Sequence, residues 1–244
     1  MVQCVGVVGQ STLMGGAGFA AAIDALERAS GRGLVWASAQ FLSRAVLGAS
    51  LDVEVEILAS GRRTSQARVR LHDVGRAIMD VNAAVMVWGD DAGDRQFVAP
   101  PDVPDPDACP LRRPRWQQDG DLLDIFERRR LPPEESEGRD RTWVRCLVDA
   151  PVSAGLLAIV ADFLPGGHAG SEGSSSLDNS LRIHAIEKTE WMLCDTRFSG
   201  FASGVFHGDM RIFSERGALL ATAAQSGRLP KRTSWSIPAP TGML

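Results

Sequence analysis

Three polar side chains between residues 176 and 227 have the chemistry needed to direct a water molecule, namely Asp178, Ser199 and Gln225. A carboxylate takes a proton from water as a general base. A hydroxyl and an amide both donate and accept hydrogen bonds, so they fix the position of that water. Each residue also has a plain structural interpretation. Asp178 would cap the start of a strand, Ser199 would belong to a turn, and Gln225 would be a polar residue at a strand end.

The elements that carry these residues are predicted to be consecutive β-strands. From Val205 to Phe213 the side chains alternate between apolar and polar, which is the period of a half-buried strand. Glu215 to Gly217 then makes a turn, with the glycine free to take a positive φ. The chain returns from Ala218 to Gln225 with small, mostly apolar side chains.

A hairpin is predicted in the first half of the chain. Two alternating segments form its strands, Leu51 to Leu58 and Thr64 to Leu71. Folding them about Arg62 places Glu54 opposite Arg70 and Glu56 opposite Arg68. Opposite charges across an antiparallel pair stabilise the register by roughly a few tenths of a kcal/mol each. We therefore interpret these charges as the solvated face of a sheet.

Two helices are predicted, one before each set of strands. Gly15 to Ser30 has an apolar face at helical spacing, and Ser153 to Leu164 is apolar on nearly all sides, as a buried helix would be. Asp162 is the exception in the second helix, and we expect it at the exposed end, although it could reach a pocket. Gly15 and Gly16 are either a flexible entry turn or a place where backbone N–H groups approach a ligand.

The order of elements is repeated, which predicts a duplication. Residues 75–83 align with residues 217–225 at an offset of 142 residues. At that offset Ala83 corresponds to Gln225 and Trp36 to Asp178, so the polar pair exists only in the second copy.

The motifs, in this order, resemble the type II acyl-CoA thioesterases. They are Gly15-Gly16, Gln40 to Arg44, the hairpin around Gly61-Arg62, Ser176 to Ser180, Glu190 to Leu193, Ser199, Gly217 to Ala221, and Gln225 to Gly227. The resemblance implies an α+β double hotdog fold, in which two helix-plus-antiparallel-sheet repeats are joined by a linker. The predicted boundaries are 1–98 for the N-terminal repeat, 99–140 for a linker rich in proline and charge, 141–232 for the C-terminal repeat and 233–244 for a tail.

The resemblance also implies a function, the hydrolysis of acyl-CoA thioesters without a metal, a cofactor or a covalent acyl-enzyme. The family's catalytic residues fall on Asp178 as base and on Ser199 and Gln225 as positioning groups. Backbone N–H groups at a helix start can bind a substrate carbonyl, so Gly15 and Gly16 are the candidate substrate-binding residues, and the Gly16 N–H is the best candidate for a donor to the carbonyl oxygen.

Two other functions stay open at this point. One is a binding module for acyl-CoA that has lost turnover, and Asp178 argues against it because a binder needs no carboxylate beside a thioester. The other is a hydratase acting on enoyl-CoA, which would use Asp178 with His184. A Ser-His-Asp hydrolase is disfavoured, because no nucleophile-elbow motif such as GxSxG is present.

Composition excludes several broad classes. The net charge is −4 with a pI near 5.6, whereas a nucleic-acid binder would show a basic face. No apolar run approaches the roughly 20 residues of a membrane span, and the first residues lack the basic region of a secretory signal. Four scattered cysteines predict neither a zinc site nor a disulfide framework, so a cytoplasmic location is expected. A homodimer is expected because hotdog sheets usually pair.

Overall fold

The structure is a computed structural model that describes residues 2–3, 5–7, 12–89, 95–113, 117–132 and 138–231. These residues form two α-helices, α1 (Gly15–Ser30) and α2 (Ala154–Ala161). The strands, in chain order, are β1 (Val2–Gln3), β2 (Gly6–Val7), β3 (Thr12–Leu13), β4 (Gly33–Phe41), β5 (Ser50–Ser60), β6 (Thr64–Asp73), β7 (Arg76–Met86), β8 (Phe126–Arg130), β9 (Arg139–Cys146), β10 (Ser175–Ile183), β11 (Trp191–Ala202), β12 (Val205–Ser214) and β13 (Leu219–Arg228).

Eleven of the strands form one antiparallel sheet. Their order is β1-β5-β6-β7-β4-β10-β13-β12-β11-β9-β8, and β2 pairs with β3 separately. The two halves of the chain meet at the β4–β10 pair, where Gln40 lies opposite Asp178 and Trp36 lies opposite Arg182. One buried apolar core runs between this sheet and the two helices. This is the predicted α+β double hotdog, with the two sheets joined edge to edge.

The duplication is visible in the positions of the strands. Strands β4, β5, β6 and β7 recur as β10, β11, β12 and β13, displaced by 142 residues to within one residue. At this offset Trp36 is equivalent to Asp178, and Gln40 is equivalent to Arg182. Gln40 lies opposite Asp178, and Trp36 lies opposite Arg182, so exchanging the two halves reproduces the same pairing. The halves are therefore related by an approximate two-fold axis. The predicted offset of the repeat therefore agrees with the structure.

The predicted hairpin has its predicted register. Glu54 pairs with Arg70 and Glu56 pairs with Arg68 across β5 and β6. Arg70 Nη2 lies 3.1 Å from Glu54 Oε1. The Arg68 guanidinium turns instead to Asp80 on β7, to which its Nε donates at 2.9 Å. These charge pairs therefore connect the three neighbouring strands β5, β6 and β7 on the face of the sheet that points away from the helices.

The stretch predicted as a linker, 99–140, contributes to the second half of the sheet. It contains β8, which pairs with residues 142–146 of β9 at the sheet edge, and the first two residues of β9, which pair with β11. Trp143 Nε1 donates to the Pro104 carbonyl at 3.0 Å, and Cys109 is buried in a small apolar cluster with Trp143. The predicted tail, 233–244, lies outside the described residues.

The two helices contact each other where α1 begins and α2 ends. A Cβ added to Gly16 would lie 2.7 Å from the Asp162 Cβ and 3.0 Å from the Ile159 Cα. Real Cβ atoms do not approach this closely, so the absence of a side chain at Gly16 sets the distance between the helices. Gly155 also faces α1, but a Cβ there would lie 3.6 Å from the Ala20 Cβ, an ordinary contact.

This difference gives a matched pair of substitutions. Gly16→Ala should destabilise the protein by about 1–3 kcal/mol, because the helices must separate to admit the methyl group. Gly155→Ala should be neutral or slightly stabilising, because alanine has a helix propensity about 1 kcal/mol better than glycine. Urea unfolding of both variants and the wild type measures the effect. Equal destabilisation by the two substitutions would show that Gly16 does not set the helix spacing.

Candidate active site

A cleft of about 580 Å³ opens where α1 begins and the chain leaves α2. Apolar side chains of the first half line one part of it, namely Leu13, Phe41, Ala45, Ile78 and Met79. Gly15 and Asp162 also line the cleft, together with residues 174–177 at the start of β10. The cleft thus joins an apolar surface to the one carboxylate at the helix contact.

Asp162 is the centre of a hydrogen-bonded cluster. It is the C-cap residue of α2, and its Oδ2 accepts the Gly16 N–H at 2.6 Å. Its Oδ1 accepts from Gln225 Nε2 at 2.9 Å, and the same Nε2 lies 2.8 Å from Ser176 Oγ. One carboxylate therefore connects the start of α1, the end of α2 and strands β10 and β13.

The sequence explains why Asp162 is brought there. The first N–H groups of a helix have no acceptor within the helix. The N-cap residue of α1 is Met14, which makes no side-chain cap, so the acceptor comes from another part of the chain. The positive end of the helix dipole also favours an anion at this position. Because α2 is apolar around its whole circumference, its end packs against α1, and this brings the half-buried Asp162 to the cleft.

The environment of Asp162 shifts its acidity strongly. Burial raises the pKa of Asp162 from 3.8 to about 6, while the Gly16 N–H, the Gln225 amide and the Asn179 amide oppose that rise. A general base works best when its pKa lies near the working pH, because it is then both deprotonated and a strong proton acceptor. Asp162 has this property at neutral pH.

Two amide side chains complete the cluster. Asn179 lies directly opposite Gln225 across β10 and β13, and both are buried. Within the described residues, Gln225 Oε1 and both amide atoms of Asn179 lack a well-formed hydrogen bond. A buried polar atom without a partner costs about 1–3 kcal/mol. Such atoms next to a carboxylate are suited to binding a polar reactant.

Asp178 lies one position before Asn179, so strand alternation turns it away from the buried face. Its residue partners across the sheet are Gln40 and Ser226. The carboxylate accepts the Ser226 N–H at 2.9 Å. Asp178 and Gln225 are thus on neighbouring strands, but Asp178 does not join the cluster around Asp162.

Ser199 lies farther from the cluster. It occupies a bulge of β11 between Phe198 and Gly200, and it is exposed. Strand β12 separates β11 from β13, which carries Gln225. The structure therefore brings Gln225, Gly15 and Gly16 to one place and leaves Ser199 outside it. The Gly16 N–H, expected to face a substrate carbonyl, is taken by Asp162.

Two members of the cluster, Asp162 and Asn179, were not among the predicted site residues. For Asp162 an exposed helix end was favoured, with a pocket as the alternative, and the structure places it at the cleft. The available signal was its position as the single charged residue in an apolar helix. For Asn179 the signal was its position opposite Gln225, which only the strand register reveals.

The comparisons with known proteins agree on the fold and the family. Residues 7–88 match the acyl-CoA thioesterase N-terminal domain, and residues 98–229 match the acyl-CoA thioesterase C-terminal domain. The chain therefore belongs to the acyl-CoA thioesterase family, and it is a thioesterase. Among curated proteins, none matches the chain.

Solved structures with the same fold cover nearly the whole chain. A candidate thioesterase from Novosphingobium aromaticivorans is 39% identical, with a TM-score of 0.85 over 90% of this chain and 88% of that one. The tesB protein of Mycobacterium avium subspecies paratuberculosis is 24% identical, with a TM-score of 0.79 over 94% and 91%. TesB2 of Mycobacterium marinum, an acyl-CoA thioesterase II, is 18% identical, with a TM-score of 0.75 over 94% and 93%. In the part of the chain that the structure describes, no helix is long and apolar enough to cross a membrane.

The raised pKa of Asp162 predicts how stability depends on pH. Between about pH 4 and about pH 6 the folded protein holds a proton on Asp162 that the unfolded chain has released. The free energy of unfolding should therefore fall as the pH rises through this window, and this contribution should level off above about pH 6. Asp162→Asn lacks the titration, while its amide oxygen can still accept the Gly16 N–H.

Urea midpoints of both proteins at several pH values measure this effect. Relative to the wild type, the Asn variant should gain stability from about pH 4 to about pH 6 and gain no more above it. A difference that stays constant over this range would show that Asp162 has an ordinary acidity in the folded protein.

Proposed function

We propose that this protein hydrolyses acyl-CoA thioesters to a free acid and CoA, with Asp162 activating the attacking water. The observation that carries the proposal is the Asp162 carboxylate, which is held by Gly16 and Gln225, has a pKa of about 6 and lines the cleft. No covalent acyl-enzyme is required, because a base and a positioned water suffice for the attack.

In the first step a water attacks the thioester carbonyl carbon while Asp162 takes one of its protons. Gln225 Oε1, which has no partner among the described residues, accepts the other O–H of that water. Gln225 Nε2 meanwhile holds the carboxylate in place. Such positioning turns a collision between two molecules into a step within one complex, which is a large part of the rate gain in many enzymes.

The carbonyl oxygen becomes an oxyanion as the carbon–oxygen bond forms. Gly15 lines the cleft and is the first residue of α1, so its N–H has no intrahelical acceptor and lies at the positive end of the helix dipole. We assign the oxyanion contact to this group. Collapse of the tetrahedral intermediate breaks the carbon–sulfur bond, and the proton held by Asp162 passes to the CoA thiolate.

The rim of the cleft supports a CoA ester in particular. Arg44 and Arg228 line the cleft and are exposed, and the Arg44 guanidinium lies 3.5 Å from Ser175 Oγ. CoA carries a diphosphate and a 3′-phosphate, and guanidinium groups bind phosphate oxygens well. We assign these two arginines to the phosphates, which stay hydrated at the rim.

The family resemblance supports a second assignment of the catalytic groups, with Asp178 as base and with Ser199 and Gln225 as positioning groups. Gln225 is common to both assignments. They differ in the carboxylate: Asp178 accepts the Ser226 N–H, whereas Asp162 accepts the Gln225 amide within the cluster at the cleft. Substitution of each aspartate therefore decides between them.

Kinetics of two isosteric variants test the base. Asp162→Asn should lower kcat by about 10²- to 10⁴-fold, the usual contribution of a general base. Asp178→Asn should lower it by less than about tenfold, because its amide oxygen still accepts the Ser226 N–H. CoA release from acyl-CoAs of short, medium and long chains, followed with a thiol reagent, gives both values.

Two further variants are measured in the same assay, one at a proposed positioning group and one as a control. Gln225→Ala should cost about 10- to 100-fold, because the water loses its positioning group. Ser199→Ala, at an exposed position, should stay within about twofold. A large loss in Asp178→Asn together with a small loss in Asp162→Asn would place the base at Asp178. No CoA release by the wild type from any chain length would contradict the hydrolase.

The pH dependence of the reaction gives an independent test. For the wild type, kcat/KM should rise with pH and reach a plateau above about pH 6, because Asp162 must be deprotonated to accept the proton. The residual activity of Asp162→Asn should lack this inflection. An inflection near pH 6 that persists in the variant would assign it to another group.

We also propose that the chain acts in the cytoplasm as a homodimer. Cys109, Cys146 and Cys194 are free thiols in the structure, which fits a reducing compartment. Light scattering distinguishes a dimer from a monomer of 26.2 kDa.

A further inference from the structure

A second buried charge lines the same cleft, and hydrolysis does not use it. Arg128, in the middle of β8, is 7% exposed, yet it contributes to the wall of the cleft that contains Asp162. It also borders a separate space of about 30 Å³ inside the second half, which has room for a water molecule. The guanidinium thus sits at the inner boundary of the cleft.

The contacts of Arg128 leave its charge unmatched. Its Nη2 donates to Gln117 Oε1 at 2.8 Å, and its guanidinium carbon lies 5.3 Å from the centre of the Phe163 ring. Among the described residues its Nε has no hydrogen-bond partner, and no Asp or Glu forms an ion pair with it. A buried cation normally has a carboxylate partner, because burial without one is unfavourable.

The neighbouring charges do not supply that partner. Arg112 and Arg130 both contact Asp140, with Arg112 Nη1 at 3.8 Å from Asp140 Oδ2. Thr142 Oγ1 also donates to this carboxylate, at 3.0 Å. Burial and the nearby Arg112 lower the pKa of Arg128 to about 10, so Arg128 stays charged at neutral pH. Glu172 also borders both the cleft and the smaller space, so the described charges here are three arginines, including Arg128, and two carboxylates. One positive charge remains in excess.

The position of Arg128 relates it to the reacting group. Phe163, whose ring the guanidinium covers, is the residue that follows Asp162. A thioester at Asp162 and an anion at Arg128 would occupy the same cleft. The phosphates of CoA are strongly hydrated and have the exposed Arg44 and Arg228 available at the rim. The buried guanidinium suits a smaller anion that loses its water on binding.

We infer that Arg128 binds a carboxylate at the distal end of the acyl group, so that the preferred substrates are ω-carboxyacyl-CoA thioesters. The planar guanidinium presents its N–H groups in a fork that matches a carboxylate, and the free Nε supplies one of these donors. The inference rests on the proposed hydrolysis of acyl-CoA. It makes Arg128 a specificity-determining residue and leaves the chemical step to the cluster around Asp162.

Paired substrates test the inference. Glutaryl-, adipyl-, pimelyl- and suberyl-CoA are each compared with the unsubstituted acyl-CoA of the same carbon number. The wild type should have the higher kcat/KM for at least one carboxylated member, and Arg128→Met should reduce that preference by about 10- to 100-fold, the usual effect of losing a hydrogen bond to a charged group. Arg128→Lys should restore part of the preference, because the charge is kept and the fork is lost.

Arg129→Met is the matched control. Arg129 is the next residue of β8, its Nε donates to Glu127 at 2.6 Å, and it does not line the cleft. This variant should keep the wild-type preference between the paired substrates. Melting temperatures of all variants identify any loss of folding.

A binding measurement separates this inference from the hydrolase proposal. S-alkyl-CoA thioethers with and without a terminal carboxylate cannot be hydrolysed, and calorimetry gives their Kd. A carboxylate preference lost in Arg128→Met supports the inference even if the protein hydrolyses none of the esters. Equal weakening for both thioethers would place Arg128 on the CoA part, and an unchanged preference would remove it from recognition. Either result overturns the inference.

Discussion

The interaction on which the rest of the structure depends is the contact between the Asp162 carboxylate and the Gly16 N–H. It joins the end of one helix to the start of the other, at a point where a Cβ on Gly16 would leave no room. The same carboxylate accepts the Gln225 amide and so fixes β13 against both helices. The capping of α1 and the polar end of the cleft therefore depend on one half-buried carboxylate, at the point where Gly16 lets the helices come together.

The duplication shows how a symmetric scaffold holds a single site. Across β10 and β13, Asn179 lies opposite Gln225. The equivalent pair in the first half, 142 residues earlier, is Ala37 opposite Ala83, and both alanines are buried. The two halves share the register and differ in the side chains at this pair. Both halves therefore have the same sheet backbone. Burying polar groups is unfavourable, and at this pair only the second half does so, beside the cleft.

The sequence predicted the features that depend on local periodicity. The bounds of α1, the Glu54–Arg70 register and the repeat offset follow from spacing alone. The Asp162 cluster could not be predicted in this way, because its hydrogen bonds join residues 146 and 63 positions apart. Strand β8 was missed for another reason. Its sequence is FERRR, and arginines that fold inward, such as Arg128, hide the alternation that identifies a strand.

The acidity of Asp162 follows from a balance between two effects of the same position. Burial alone would favour the protonated acid, which could not serve as a base at neutral pH. The Gly16 N–H and the Gln225 and Asn179 amides stabilise the carboxylate and bring its pKa back to about 6. A carboxylate that accepted more hydrogen bonds would be a weaker base, and one that accepted fewer would stay protonated. The contacts that hold the helices together therefore also set the acidity of Asp162, so a substitution at this residue changes the packing and, on the proposed mechanism, the catalysis together.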